Sequence, residues 1–129
     1  MAFLWTTIHV KDLEASIKFY QEVVGLVLRR RFSPAPGTEL AFLGICETEV
    51  ELYHIEGESL PGNIDGISIG FTTDDAEALR TTLSEKGLKV SPMISPNPNL
   101  QFFYAKDPDG VNVQFVEDLR KELPGAGPF

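Results

Sequence analysis

Four landmarks recur at a single interval in this chain. Trp5 and Ile67, Asp12 and Asp74, Ile17 and Leu79, and Gly25 and Gly87 each stand 62 residues apart. Repetition at that period marks one supersecondary unit used twice, so whatever the first half builds the second must build again. In the first copy residues 3–10 alternate, with Trp5, Thr7 and His9 on one face and Leu4, Thr6, Ile8 and Val10 on the other, which predicts a strand. Asp12 stands where a helix N-cap belongs. Leu13, Ile17, Tyr20 and Val24 follow at helical spacing, and Gly25 takes the C-cap position. Residues 26–32 resume a strand, and residues 33–37, Ser-Pro-Ala-Pro-Gly, read as a loop because proline cannot donate to a sheet interior. Residues 39–45 and 47–55 give two more strands, and residues 56–65 read as a linker.

The second copy follows the same plan. Ile67, Ile69 and Phe71 alternate, and Asp74 with Glu77 forms a capping box ahead of Ala76, Leu79 and Leu83, with Gly87 closing the helix. Extended chain at residues 88–92, a Pro-Asn loop at 95–99 and strands at 100–106 and 111–117 complete it. Between the last two strands, Asp107-Pro108-Asp109-Gly110 reads as a reverse turn, since proline presets φ and Asp-Gly supplies a positive-φ position. Beyond the turn, Val111, Val113 and Phe115 share one face, and Asn112, Gln114 and Val116 the other. The expected fold is α+β: a single domain of two βαβββ modules, residues 1–57 and 64–118, with a loosely docked tail at 119–129. One helix covers only one face of each sheet. Two such sheets edge to edge can curl into a cup. Its lining would be Trp5, Thr7 and His9, then Glu49, Glu51 and Tyr53, then Ile67 or Ser68 and their alternates, then Asn112, Gln114 and Val116.

Composition narrows what such a cup serves. Nineteen acids against eleven bases give a net charge of −8, which repels phosphate backbones and argues against nucleic acid as a partner. The one cysteine, Cys46, excludes an intramolecular disulfide and a zinc ribbon, and reads as a small buried hydrophobe rather than a nucleophile. No basic leader precedes the first strand and no apolar run approaches the roughly 20 residues of a membrane span, so a cytoplasmic home is expected, with no membrane partner.

The stretch Val10-Lys11-Asp12-Leu13-Glu14-Ala15-Ser16-Ile17-Lys18-Phe19-Tyr20, the Gly25-Leu26 pair, and a second copy ending Asp107-Pro108-Asp109-Gly110 then strand resemble the glyoxalase I, bleomycin-resistance and extradiol-dioxygenase superfamily, also called vicinal oxygen chelate. The resemblance covers nearly the whole chain. It implies paired βαβββ modules, often in a homodimer, and a range of functions from lyases to drug-sequestering binders. Metal-dependent members place four ligands in the two modules, and those positions fall here on Trp5, Glu51, Ile67 and Gln114. Glu51 alone is a good ligand, Gln114 lends at most an amide oxygen, and neither an indole nor an aliphatic chain coordinates a divalent ion. The inherited metal site reads as dismantled, and no cofactor is expected.

The candidate residues each carry two readings. Glu51 is a catalytic general base, or an inherited acid satisfied by hydrogen bonds. Trp5 is a platform on which a ligand stacks, or a filler of the space a metal left. His9 lies about 13 Å along the strand from Trp5, too far for the same metal centre. It takes the place of a substrate-binding basic residue in the resemblance, or is a partly exposed strand histidine. His54 reads as solvent-facing. Arg29-Arg30-Arg31 is a clamp for an anionic tail or a solvated edge. Two functions follow. One is a metal-free binder of a small organic molecule held by Trp5, Thr7, His9, Tyr53, Ile67 and Gln114. The other is a lyase or isomerase similar to lactoylglutathione lyase, acting on a small carbonyl or thiohemiacetal compound with Glu51 as base.

Overall fold

The structure is a computed structural model that describes residues 1–45 and 49–120. Cys46 and the tail from residue 121 onward lie outside the described residues. The elements run β1 (Trp5–His9), α1 (Leu13–Glu22), β2 (Leu28–Ala35), β3 (Thr38–Leu43), β4 (Glu49–Ile55), β5 (Ile64–Thr72), α2 (Ala76–Glu85), β6 (Ile94–Asn97), β7 (Leu100–Lys106) and β8 (Val111–Asp118). The α+β class and the twice-used βαβββ order are both present. The chain divides between Asn63 and Ile64 into two compact units, each with one four-stranded sheet and one helix.

The sheets share one topology, β1-β4-β3-β2 in the first unit and β5-β8-β7-β6 in the second. β1 pairs with β4, and β5 with β8, in parallel, and the other pairs are antiparallel. In the first unit the alternation of β4 buries Val50 and Leu52, which join Ile8, Ala41 and Leu43 in a layer under Leu13, Ile17 and Tyr20 of α1. Burying one such aliphatic side chain contributes about 1.5–3 kcal/mol, so this layer, more than helix propensity, holds a helix of only 10 residues. In the second unit Val113, Phe115, Phe103 and Ala105 form the matching layer under Ala76 and Leu83 of α2. Phe103 and Phe115 stack there with ring centroids 5.2 Å apart.

The helix caps correct the expected interval. Asp12 caps α1 by accepting from the Ala15 N–H at 3.1 Å. The cap of α2 is Asp75, accepting from Ala78 at 3.0 Å, and not Asp74. The caps therefore stand 63 residues apart. The sheets repeat the shift, since Trp5 and Thr7 pair with Glu49 and Glu51 while Ser68 and Gly70 pair with Asn112 and Gln114. Trp5 thus corresponds to Ser68 and not to Ile67, which sits in an irregularity of β5 between Ile64 and Ser68. The glycines keep an interval of 62 because the step from C-cap to glycine is one residue shorter after α2. Gly87, with φ 89°, directly follows the C-cap Lys86, whereas Gly25 follows Val23 by two.

Both proline segments expected as loops extend strands instead. Residues 33–35 belong to β2 and residues 94–97 to β6, with the turns confined to Pro36-Gly37 and Pro98-Asn99. Each is an edge strand, where a missing N–H breaks no interior ladder, and each carries a register shift at its proline. A serine closes each hairpin in the same way. Ser33 donates to the carbonyls of Ala35 and Thr38, and Ser95 to those of Asn97 and Leu100. The expected linker also ends early, because Ile64 and Asp65 are already strand. No helix among the described residues is long and apolar enough to cross a membrane.

Candidate functional site

The first unit's sheet turns one face to α1 and leaves the other to the side chains of alternate residues. Cross-strand register sets that second face: Thr7 lies beside Glu51, Glu51 beside Phe42, and Phe42 beside Arg30, while His9, Tyr53, Leu40 and Phe32 form the next row. Thr7, Glu51, His9, Tyr53 and Trp5 are therefore brought together as the alternation implied. Thr7 Oγ1 donates to Glu51 Oε1 at 2.5 Å, and Glu51 is 9% exposed. His9 stacks on Tyr53 at 5.0 Å, and its Nδ1 lies 2.9 Å from both carboxylate oxygens of Glu58.

At the other end the face is aromatic. Trp5, 38% exposed, meets Phe42 edge-on at 5.2 Å, and Phe42 lies nearly parallel to Phe32 at 6.4 Å. The Arg30 guanidinium sits 4.2 Å above the Phe42 ring, a cation–π contact worth about 0.5–1 kcal/mol at a surface. Arg31 takes the opposite side of the strand. There Glu14 and Glu39 bond it at 2.5 and 2.7 Å and hold its guanidinium pKa above the ordinary value. The arginine run is thus split by the pleat, one member on the candidate face and one tied to α1. His54 lies on the α1 side too. It is half-buried and within 3.0 Å of the Val10 carbonyl, rather than solvent-facing.

The second unit presents the matching face with different chemistry. Ser68 and Gly70 stand beside Asn112 and Gln114, which stand beside Lys106 and Tyr104. Gly70 occupies the place of Thr7, and a β-carbon there would come within 3.3 Å of Gln114 Oε1. A side chain there would have to move that amide oxygen by a few tenths of an ångström. Ile67 is 63% exposed and lines a cavity of about 610 Å³ together with Ser68, Tyr104 and Asn112.

The positions equivalent between the two copies are Trp5 with Ser68 and Glu51 with Gln114. Their donors are one indole, one hydroxyl, one carboxylate and one amide. A transition-metal site of the kind built from histidine and carboxylate needs at least three such ligands, and of these four positions only Glu51 carries one. Among the described residues there is no group of three or more His, Cys, Asp or Glu side chains placed to share an ion. Nor does any buried side-chain nitrogen or oxygen there lack a partner. What the face offers instead is flat aromatic surface, one cation and one hydrogen-bonded carboxylate.

Phe32, Phe42 and Glu58 escaped the sequence reading, which named Arg30 only within the run of three arginines. Phe32 and Phe42 alternate correctly within their own strands, but only the register between β2, β3 and β4 puts Phe42 against Trp5 and Phe32 against Phe42.

Three comparisons with known proteins agree. Residues 2–115 match the model of the Glyoxalase/Bleomycin resistance protein/Dioxygenase superfamily. The chain is 37% identical over 118 residues to the protein YwbC of Bacillus subtilis, covering 87% of this chain and 94% of that one. It is 34% identical over 128 residues to a lactoylglutathione lyase of Haemophilus influenzae, covering 92% and 93%. Among solved structures, the trypanothione-dependent glyoxalase I of Leishmania major superposes with a TM-score of 0.77 at 25% identity, covering 91% of this chain and 86% of that one.

Proposed function

The chain belongs to the glyoxalase/bleomycin resistance protein/dioxygenase superfamily, and within it we propose that this protein binds a small organic molecule without a metal ion. One observation carries the reading. Trp5, set edge-on to the Phe42 ring that Phe32 and Arg30 also contact, occupies the position that the resemblance assigns to a metal ligand. An aromatic face with one hydrogen-bonded carboxylate suits a planar, largely apolar ligand that carries an N–H or O–H for Glu51 to accept. Thr7 positions that carboxylate, and the His9–Tyr53 stack walls the row beside it. We further read the protein as a cytoplasmic homodimer with no nucleic-acid partner, consistent with its charge of −8.

A second reading rests on Glu51 itself. The lactoylglutathione lyase relatives and the retained, nearly buried carboxylate favour a lyase with Glu51 as general base and Thr7 and His9 as donors to a developing oxyanion. Glu51→Gln separates the two. Trp5 is the only tryptophan, so its emission reports ligand binding directly. Under the binding reading the variant keeps its affinity for planar aromatic ligands within about threefold, since an amide still accepts a hydrogen bond. Under the lyase reading a measurable lactoylglutathione lyase activity of the native protein falls by about 100-fold or more.

A further inference from the structure

Resting on that reading of the Trp5 face, we infer that Glu58 sets its specificity, closing the Tyr53 end to carboxylates and leaving it to neutral or cationic ligands. His9 Nδ1 lies 2.9 Å from both carboxylate oxygens of Glu58, and the His9 ring lies on Tyr53 at 5.0 Å with an interplanar angle of 21°. A carboxylate only accepts hydrogen bonds, so Nδ1 carries a proton and donates it to Glu58 whether the imidazole is neutral or charged. In the neutral ring Nε2 is then an acceptor, and in the charged ring Glu58 cancels the charge. A ligand carboxylate arriving here meets a committed donor and the repulsion of a like charge.

Glu51 adds to the same bias. It accepts from Thr7, two residues before His9 on β1, so a second carboxylate stands one row away, about 6–7 Å along the strand. Two acids and one histidine thus share this end, whereas the Arg30 guanidinium lies across the sheet over Phe42. The backbone holds Glu58 in place before any ligand arrives. In the turn after β4 the Glu56 N–H donates to the Gly37 carbonyl at 2.8 Å and the Glu58 N–H to the Ile55 carbonyl at 3.1 Å, with Gly57 at φ 81° between them. The Glu58 side chain is only 25% exposed. Glu56 leans the other way, its Oε2 3.6 Å from where a β-carbon on Gly37 would stand. Of these two equal charges on one turn, Glu58 is the one that meets His9.

The test is a titration of the full chain with 1-naphthoate, its neutral isostere 1-naphthamide and 1-naphthylmethylammonium, followed by quenching of Trp5. The native protein is expected to bind the acid roughly tenfold more weakly than the amide, and the ammonium at least as tightly as the amide. Raising the salt should narrow the acid's deficit, since it screens a repulsion. Glu58→Gln removes the charge and adds an N–H donor, so the acid should gain about tenfold while the amide stays within about twofold. Glu56→Gln, which removes the same charge from the same turn, should leave the ratio of acid to amide unchanged. An acid bound by the native protein as tightly as the amide, an unaltered ratio in Glu58→Gln, or an equal gain in Glu56→Gln overturns the inference, while quenching by the amide keeps the Trp5 reading. Quenching by none of the three compounds removes that reading and the inference with it.

Discussion

Phe103→Ala is expected to destabilise the protein by about 3–5 kcal/mol, the range for truncating a fully buried aromatic ring. Phe103 is 0% exposed, stacks on Phe115 at 5.2 Å, and lies in the single layer between α2 and its sheet. Removing it opens a cavity that the surrounding strands, pinned by their ladders, close only in part. Its neighbour Phe102 points to the other face and is only half-buried, so Phe102→Ala should lose about 1 kcal/mol. Urea denaturation of the two variants measures the contrast. Near-equal losses would mean that the pleat assigned to β7 is inverted.

The second large effect sits in the turn before β8. Asp107 is 5% exposed, and its Oδ1 accepts the N–H groups of Asp109 at 2.8 Å and Val111 at 2.9 Å. The backbone adds an Asp107 carbonyl to Gly110 N–H bond at 3.0 Å, and Gly110 adopts φ 84°. Asp107→Ala leaves two buried donors without their acceptor, a loss of about 1–3 kcal/mol for each group and roughly 3 kcal/mol in total. Asp107→Asn keeps an oxygen at Oδ1 and should recover more than half of that. Thermal melts of the pair read it out, and equal losses for the two variants would show that the carboxylate's charge, rather than its acceptor geometry, holds the turn.

That turn was legible because every residue in it has one reading. Proline fixes φ, Asp-Gly turns the chain, and the alternation of Val111, Val113 and Phe115 declares the buried side at once. The cap of α2 was not. Asp74 and Asp75 are both good caps, Glu77 completes a capping box with the wrong one, and only the bond to Ala78 decides. One residue of error there shifted the supposed partner of Trp5 from Ser68 to Ile67. The proline segments misled for a different reason. Proline excludes a strand interior but not an edge, and strand order is a tertiary fact that local composition does not carry. The candidate face was half legible for the same cause. Thr7 and Glu51 could be placed on one side by alternation, yet the approach of Phe42 to Trp5, and of Phe32 and Arg30 to Phe42, depends on the register of four strands.

The central claim is a ligand site that needs no metal ion, and metal binding tests it most directly. Purified protein is stripped with a chelator, then titrated with Zn²⁺, Ni²⁺, Co²⁺ and Mn²⁺ while thermal stability and bound metal are measured. With an indole at Trp5 and a hydroxyl at the equivalent Ser68, the expected result is no shift in Tm at micromolar metal and well under one ion per chain. One ion held tightly per chain, with a Tm raised by several degrees as linkage requires and both lost in Glu51→Gln, would contradict the account and favour the lyase reading.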